Sequence, residues 1–191
     1  MIASSEFISN KSSNDLANIK AIDAAEFLQS YAQGKRNFRN INLSRAVLES
    51  AELINIDLSQ GILSGANISK ANLTQAVLSN ANLIQANLSD CILYRANLQY
   101  SNLREAILKQ AVLRRAYLQG VHFNNAVLSG ANLQEANLSG TDFSEADLSG
   151  VNFRAAFLVK ANLRGANLNG ADFSRAIMTD TIMPDGGIYK L

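Results

Sequence analysis

The sequence predicts an all-β solenoid, a chain wound into a coil whose turns stack along one axis, and two observations carry that prediction. From Phe38 to Met183 a large apolar residue returns at every fifth position without an insertion, Leu in 22 of thirty cases and Phe, Ile or Met in the others. Two places earlier stands a small residue, Ala in 20 of the thirty, with Gly61, Cys91, Ser101, Val121 and Thr141 among the substitutes. A helix repeats every 3.6 residues and a strand every 2.0, so neither explains a period of five. Strand-like alternation over three residues sends the small and the large side chain to one side, and the next two residues turn the chain. Such units bury their apolar pair only against the units above and below, as solenoids do.

Each segment follows from its residues. Positions 1–20 are polar and rich in Ser and Asn, the composition of a mobile N-terminal segment. Residues 21–35 predict a capping helix over about 23–33: Asp23 and Glu26 have capping-box spacing, Phe27, Leu28 and Tyr31 share one helical face, and Gly34 supplies a stop. The repeats occupy 36–185. Between the two inward positions Asn or Asp is the commonest residue, and the two outward positions after the centre carry Ser, Gly, Gln, Arg, Lys and Glu, which suit turns. Arg36, Ile41 and Ile56 break the small-residue rule, so the first coils are expected to pack less regularly. Pro184 removes a donor just after Met183, and Gly186-Gly187 permit a turn that would return Ile188, Tyr189 and Leu191 over the open core, making 186–191 a capping tail.

Ala131-Asn132-Leu133, Ala146-Asp147-Leu148 and Ala166-Asn167-Leu168 resemble the pentapeptide-repeat family, and the likeness covers residues 36–185. It implies a right-handed quadrilateral β-helix with four pentads per coil. Thirty pentads then give about 7.5 coils, a rod roughly 36 Å long at about 4.8 Å per coil. The Pro184-Asp185-Gly186-Gly187 tail resembles cyanobacterial members, which points to that source. A coil of twenty residues also stacks Phe123 on Phe143 and Phe153 on Phe173.

Composition narrows the function. Seventeen basic residues face sixteen acidic ones, for a net charge of +1, which argues against strong nucleic-acid binding. One cysteine forms no internal disulfide, and no run of 18 apolar residues occurs, so the reading is a soluble cytoplasmic protein with no membrane association. Cys91, at an inward position, reads as a buried inert thiol. His122 is the lone histidine, and no second His or Cys completes a metal site with it. Glu105, Glu145 and Asp142 share a surface expected to be solvated, which argues against acid–base chemistry there. No phosphate loop or nucleophilic triad stands in the sequence, and neither catalysis nor a cofactor is expected.

Two outward groups stand apart. Tyr94, Arg95, Arg114, Arg115, Arg154 and Arg175 fall on one face and form a candidate partner-binding patch. Val77, Tyr117, Phe157 and Ile177, with Tyr100 and Val159, make a second, apolar one. The expected function is a non-catalytic interaction scaffold or regulator, a monomer or weak dimer with an unidentified protein partner. The alternative is a DNA-mimicking inhibitor of a type II topoisomerase, an activity known for some members of the family, and the near-neutral surface opposes it.

Overall fold

The computed structural model describes residues 21–190. The segment 1–20, expected to be mobile, and Leu191 of the tail lie outside these residues. Parallel bridges join the position before each centre to the one twenty residues on, from Asn37↔Asp57 to Asn162↔Ile182. Four pentads thus complete one coil, and the rod has four faces. We number them by their central residues: Leu58 and Leu118 lie under the first face, Leu43 and Leu103 under the second, Leu48 and Leu108 under the third, Leu53 and Leu113 under the fourth.

Backbone hydrogen bonding explains why the pentad has the composition it has. Leu43 N–H donates to Ile62 O at 2.8 Å and Arg45 N–H to Ser64 O at 2.9 Å in the next coil. Ile62 N–H returns a bond to Ile41 O at 2.8 Å, and Ala46 N–H closes the turn on Leu43 O at 3.0 Å. One N–H per pentad remains, that of the residue after the centre. Wherever Asn or Asp precedes the centre, its side-chain oxygen accepts that N–H, as Asn42 Oδ1 does from Ser44 at 3.1 Å. The Asx side chain thus completes the backbone's hydrogen bonding.

The fifth position of the pentad has positive φ, between 55° and 60° at Arg45, Glu105, Arg115 and Ala155 as well as at Asn40 and Asn125. Turn-forming residues are therefore not required there. Ladder bonds on both sides of the turn hold a left-handed residue in place, whatever its side chain.

Inside, Leu, Phe and Ala columns are almost wholly buried. Phe123 and Phe143 stack at 5.1 Å with rings 2° from parallel, and Phe153 and Phe173 at 4.8 Å and 11°. Polar substitutes at the small position are satisfied internally: Thr141 and Thr181 hydroxyls donate to the Leu118 and Leu158 carbonyls, and Ser101 to Leu98.

The first coils differ. Arg36 points outward, because no earlier coil lies beneath it; its guanidinium bonds Tyr31 O and Lys35 O and sits 3.9 Å over the Tyr31 ring. Ile56 is fully buried and Ile41 partly so. Their turn bonds are long, 3.3 Å for Ile41 N to Phe38 O and 3.4 Å for Ile56 N to Leu53 O, against 2.9 Å at Ala131 and Ala156. Gly61 stands one coil above Ile41, and a Cβ there would lie 2.8 Å from Leu58 O.

Helix α1 (Ala24–Ala32) begins at Asp23, whose carboxylate accepts the Ala25 N–H at 2.8 Å, and ends before Gly34 at φ 95°. Phe27 is buried edge-on against Phe38 at 4.8 Å, and Tyr31 hydroxyl donates to Ile54 O. At the other end the chain reverses, and β1 (Thr181–Ile182) pairs antiparallel with β2 (Ile188–Tyr189). Ile188 and Tyr189 stay 55% and 39% exposed.

Candidate interaction surface

The titratable groups that sequence reading set aside are engaged by the scaffold. Cys91 is buried, donates to Ile68 O, and has its thiol pushed up to about 12, chiefly by burial. Asp142 is half-buried rather than solvated. Burial would raise its carboxyl, but Ser144, Asn124 and the neighbouring His122 outweigh that and hold it below the usual carboxylate range. Asn162 Nδ2 adds a bond at 3.0 Å. His122 is pushed below its usual value by burial and then by Arg104, against the pull of Asp142. Glu105 accepts from Gln85 Nε2 at 2.8 Å, and the Glu145 carboxylate lies where a Cβ on Gly165 would be. Among the described residues no group of His, Cys, Asp or Glu is placed to hold a metal ion, and no helix is long and apolar enough to cross a membrane.

The arginine group is organised about Glu135. Arg115 Nε donates to it at 2.6 Å and Arg114 Nη2 at 3.3 Å, while Arg115 Nη1 reaches the Tyr94 hydroxyl at 3.5 Å. These contacts hold the Glu135 carboxyl below its usual range. Arg95 lies 5.3 Å over the Tyr94 ring. Arg95, Arg154 and Arg175 are exposed and make no ion pair among the described residues.

The apolar group forms a bridge column on the first face: Val77, Asn97, Tyr117, Asn137, Phe157 and Ile177 in order along the rod. Tyr117, Phe157 and Ile177 are 50%, 43% and 43% exposed, whereas Val77 and Val159 are half-buried. The Tyr100 ring lies over Gly120, whose Cβ would meet it at 2.7 Å. Each apolar member of the column forgoes an Asx bond that Asn97 and Asn137 beside it still make, to Gln99 and Ser139 at 3.0 and 3.1 Å. Val47, Ile92 and Ile107 make the same exchange on the third and fourth faces, 65%, 42% and 39% exposed; the first face differs in carrying two aromatic rings, Tyr117 and Phe157, at this position.

Sequence reading treated these groups as alternatives. The fold makes them neighbours, because the residues that turn the chain from the fourth face to the first are Arg95, Arg115, Glu135, Ala155 and Arg175. In sequence the adjacency shows as Arg115-Ala116-Tyr117 and Arg175-Ala176-Ile177. The buried polar atoms Arg114 Nε and Gln119 Oε1 have no partner among the described residues and stand on either side of Tyr117 along the chain; Gln119 is a residue that sequence did not single out.

A closed coil of stacked five-residue units, uniform inside and decorated outside, defines a solenoid repeat protein. Pentapeptide repeats match in eight copies over residues 36–69, 71–110, 111–150 and 146–183, and the chain belongs to the pentapeptide-repeat family, whose fold is the right-handed quadrilateral β-helix. Similar solved structures include HetL from the cyanobacterium Nostoc sp. strain PCC 7120, a pentapeptide repeat protein involved in heterocyst differentiation regulation: 31% identity over 88% of this chain and 100% of HetL, TM-score 0.38. Rfr23 from the cyanobacterium Cyanothece 51142 is 26% identical over 81% of this chain and 99% of its own, TM-score 0.43. A trypsin-treated form of QnrB1, a plasmid-mediated fluoroquinolone resistance protein, is 20% identical over 76% of each chain, TM-score 0.48. No curated protein gives a significant match.

Proposed function

We propose that this chain is a non-catalytic scaffold or regulator that acts in the cytoplasm, as a monomer or weak dimer, by presenting the outside of a rigid rod to a protein partner. In this reading the rod has about 7.5 coils, α1 caps its first coil, and the tail closes the last. One observation carries it. The interior repeats almost without change, while exposed Tyr117, Phe157 and Ile177 interrupt the Asx ladder of the first face and give up hydrogen bonds that their Asn neighbours make. Aromatic and arginine side chains are the residues on which protein interfaces concentrate their binding energy.

Affinity capture from the native organism, with mass-spectrometric identification, tests this reading. The expected result is a defined protein retained by the wild-type rod and by Arg104→Glu with Arg164→Glu on the second face. Turnover of a substrate by the purified chain, with no protein retained, would contradict it.

A further inference from the structure

We infer that the arginine corner and the apolar column are one docking surface, and that its occupant is an acidic amphipathic helix of a partner protein lying along the rod axis. The inference rests on the scaffold reading and names the partner's chemistry. Continuity is the first argument. One residue separates Arg115 from Tyr117 and Arg175 from Ile177, so cations border the apolar column at Arg95, Arg115 and Arg175, with Glu135 and Ala155 between the last two.

Charge is the second argument. Five arginines stand there against Glu135 alone in the two outward positions of the pentad, and Arg95, Arg154 and Arg175 are unpaired among the described residues. Glu135 already shares its oxygens between Arg114 and Arg115. Carboxylates on a partner would meet arginines that make no ion pair on the rod, Arg154 alone having a carboxylate, Asp172, near enough for its charge to be felt.

Spacing selects a helix. The column repeats at about 4.8 Å per coil, close to the ~5.4 Å pitch of an α-helix, so successive helical turns can meet successive members of the column, apolar at Tyr117, Phe157 and Ile177 and amide at Asn97 and Asn137. From Val77 to Ile177 is five coils, about 24 Å, the length of roughly 16 helical residues. A helix with a one-sided apolar stripe fits a flat strip better than an extended strand, because the ladder is already paired along the strip and offers no free edge. On the far border the space is open at Gly140, where a Cβ would meet nothing within 4 Å.

The probe is a synthetic helical peptide of about 16 residues, Leu at every third or fourth position and Glu along one flank; a second carries Lys for each Glu. Binding is read by fluorescence anisotropy, with vesicles of phosphatidylserine and of phosphatidylcholine run in parallel. The Glu peptide is expected to bind at least about tenfold tighter than the Lys peptide. Arg95→Glu with Arg154→Glu and Arg175→Glu should weaken it by about tenfold or more, and so should Tyr117→Asn with Phe157→Asn, while Arg104→Glu with Arg164→Glu leaves it unchanged. Equal binding of the two peptides overturns the inference, as does survival of the Glu peptide in both corner variants, or binding to phosphatidylserine vesicles in place of the Glu peptide. Photo-cross-linkers placed in cells at Asn137 on the column and at Ser149 on the third face separate this inference from the reading beneath it. Adducts from Asn137 support both; adducts from Ser149 alone overturn the corner and leave the scaffold; adducts from neither overturn both.

Discussion

The upper third face and the corner between the fourth and first faces share a backbone and differ in almost everything outside it. On the third face, Ala146, Asp147, Leu148, Ser149 and Gly150 keep close to the commonest pentad, and Ser149 N–H is met by Asp147 Oδ1 at 3.1 Å. At the corner the same positions hold Arg154, Ala155 and Phe157, and Val159 N–H has no side-chain acceptor from Phe157. Beneath them Leu148, Phe153 and Leu158 are equally buried. The interior sets the fold and leaves the exterior free to vary.

The largest effects should ignore the difference between the faces. Leu133→Asp under the fourth face and Leu128→Asp under the third should each unfold the middle coils, since a carboxylate in an aliphatic column costs several kcal/mol. Circular dichroism melts that distinguish the two sharply would break the claim that the interior is uniform.

A smaller effect tests where that uniformity fails. Ala is the commonest residue at the inward small position, yet Gly61→Ala should destabilise by about 1–3 kcal/mol, because the new Cβ would crowd the Leu58 carbonyl above Ile41. A neutral Gly61→Ala in urea unfolding would mean that the first coils relax more readily than their long turn bonds imply.

Smaller still is the acid response of the Asx ladder. The folded pKa of Asp142 lies below its unfolded value, so its contribution is present above the unfolded pKa and is lost as pH falls through the folded one, from about pH 5 downward. Asp142→Asn keeps an acceptor for Ser144 N–H but removes that titration. Its urea midpoint should fall less between pH 6 and pH 3 than that of the wild type, and an identical fall would assign the acid sensitivity elsewhere, for instance to Asp147.

The coil and its twenty-residue columns were legible because inward positions tolerate so few residue types that their period survives every outward change. Phe123 over Phe143 needed only counting. The role of Asn and Asp was legible as turn chemistry, but the particular N–H they accept depends on which donors the neighbouring coils consume. The pattern does not show where stacking begins, so it does not distinguish Arg36, which is exposed, from Ile56, which is buried. Both surface groups were visible by composition, and their union was missed because faces were compared as columns twenty apart, while the corner joins residues two apart, as in Arg115-Ala116-Tyr117.

One measurement bears most directly on the claim that the apolar column serves binding at the expense of the fold: the thermal melt of Tyr117→Asn with Phe157→Asn, taken beside Asn87→Tyr on the third face. Restoring two Asx bonds and removing exposed apolar surface should leave the corner variant as stable as the wild type or up to about 1–2 kcal/mol more stable, whereas Asn87→Tyr, which removes the bond to Ser89 N–H, should lose about 1 kcal/mol. A corner variant that melts well below the wild type would show that Tyr117 and Phe157 hold the coils together, and would contradict the account.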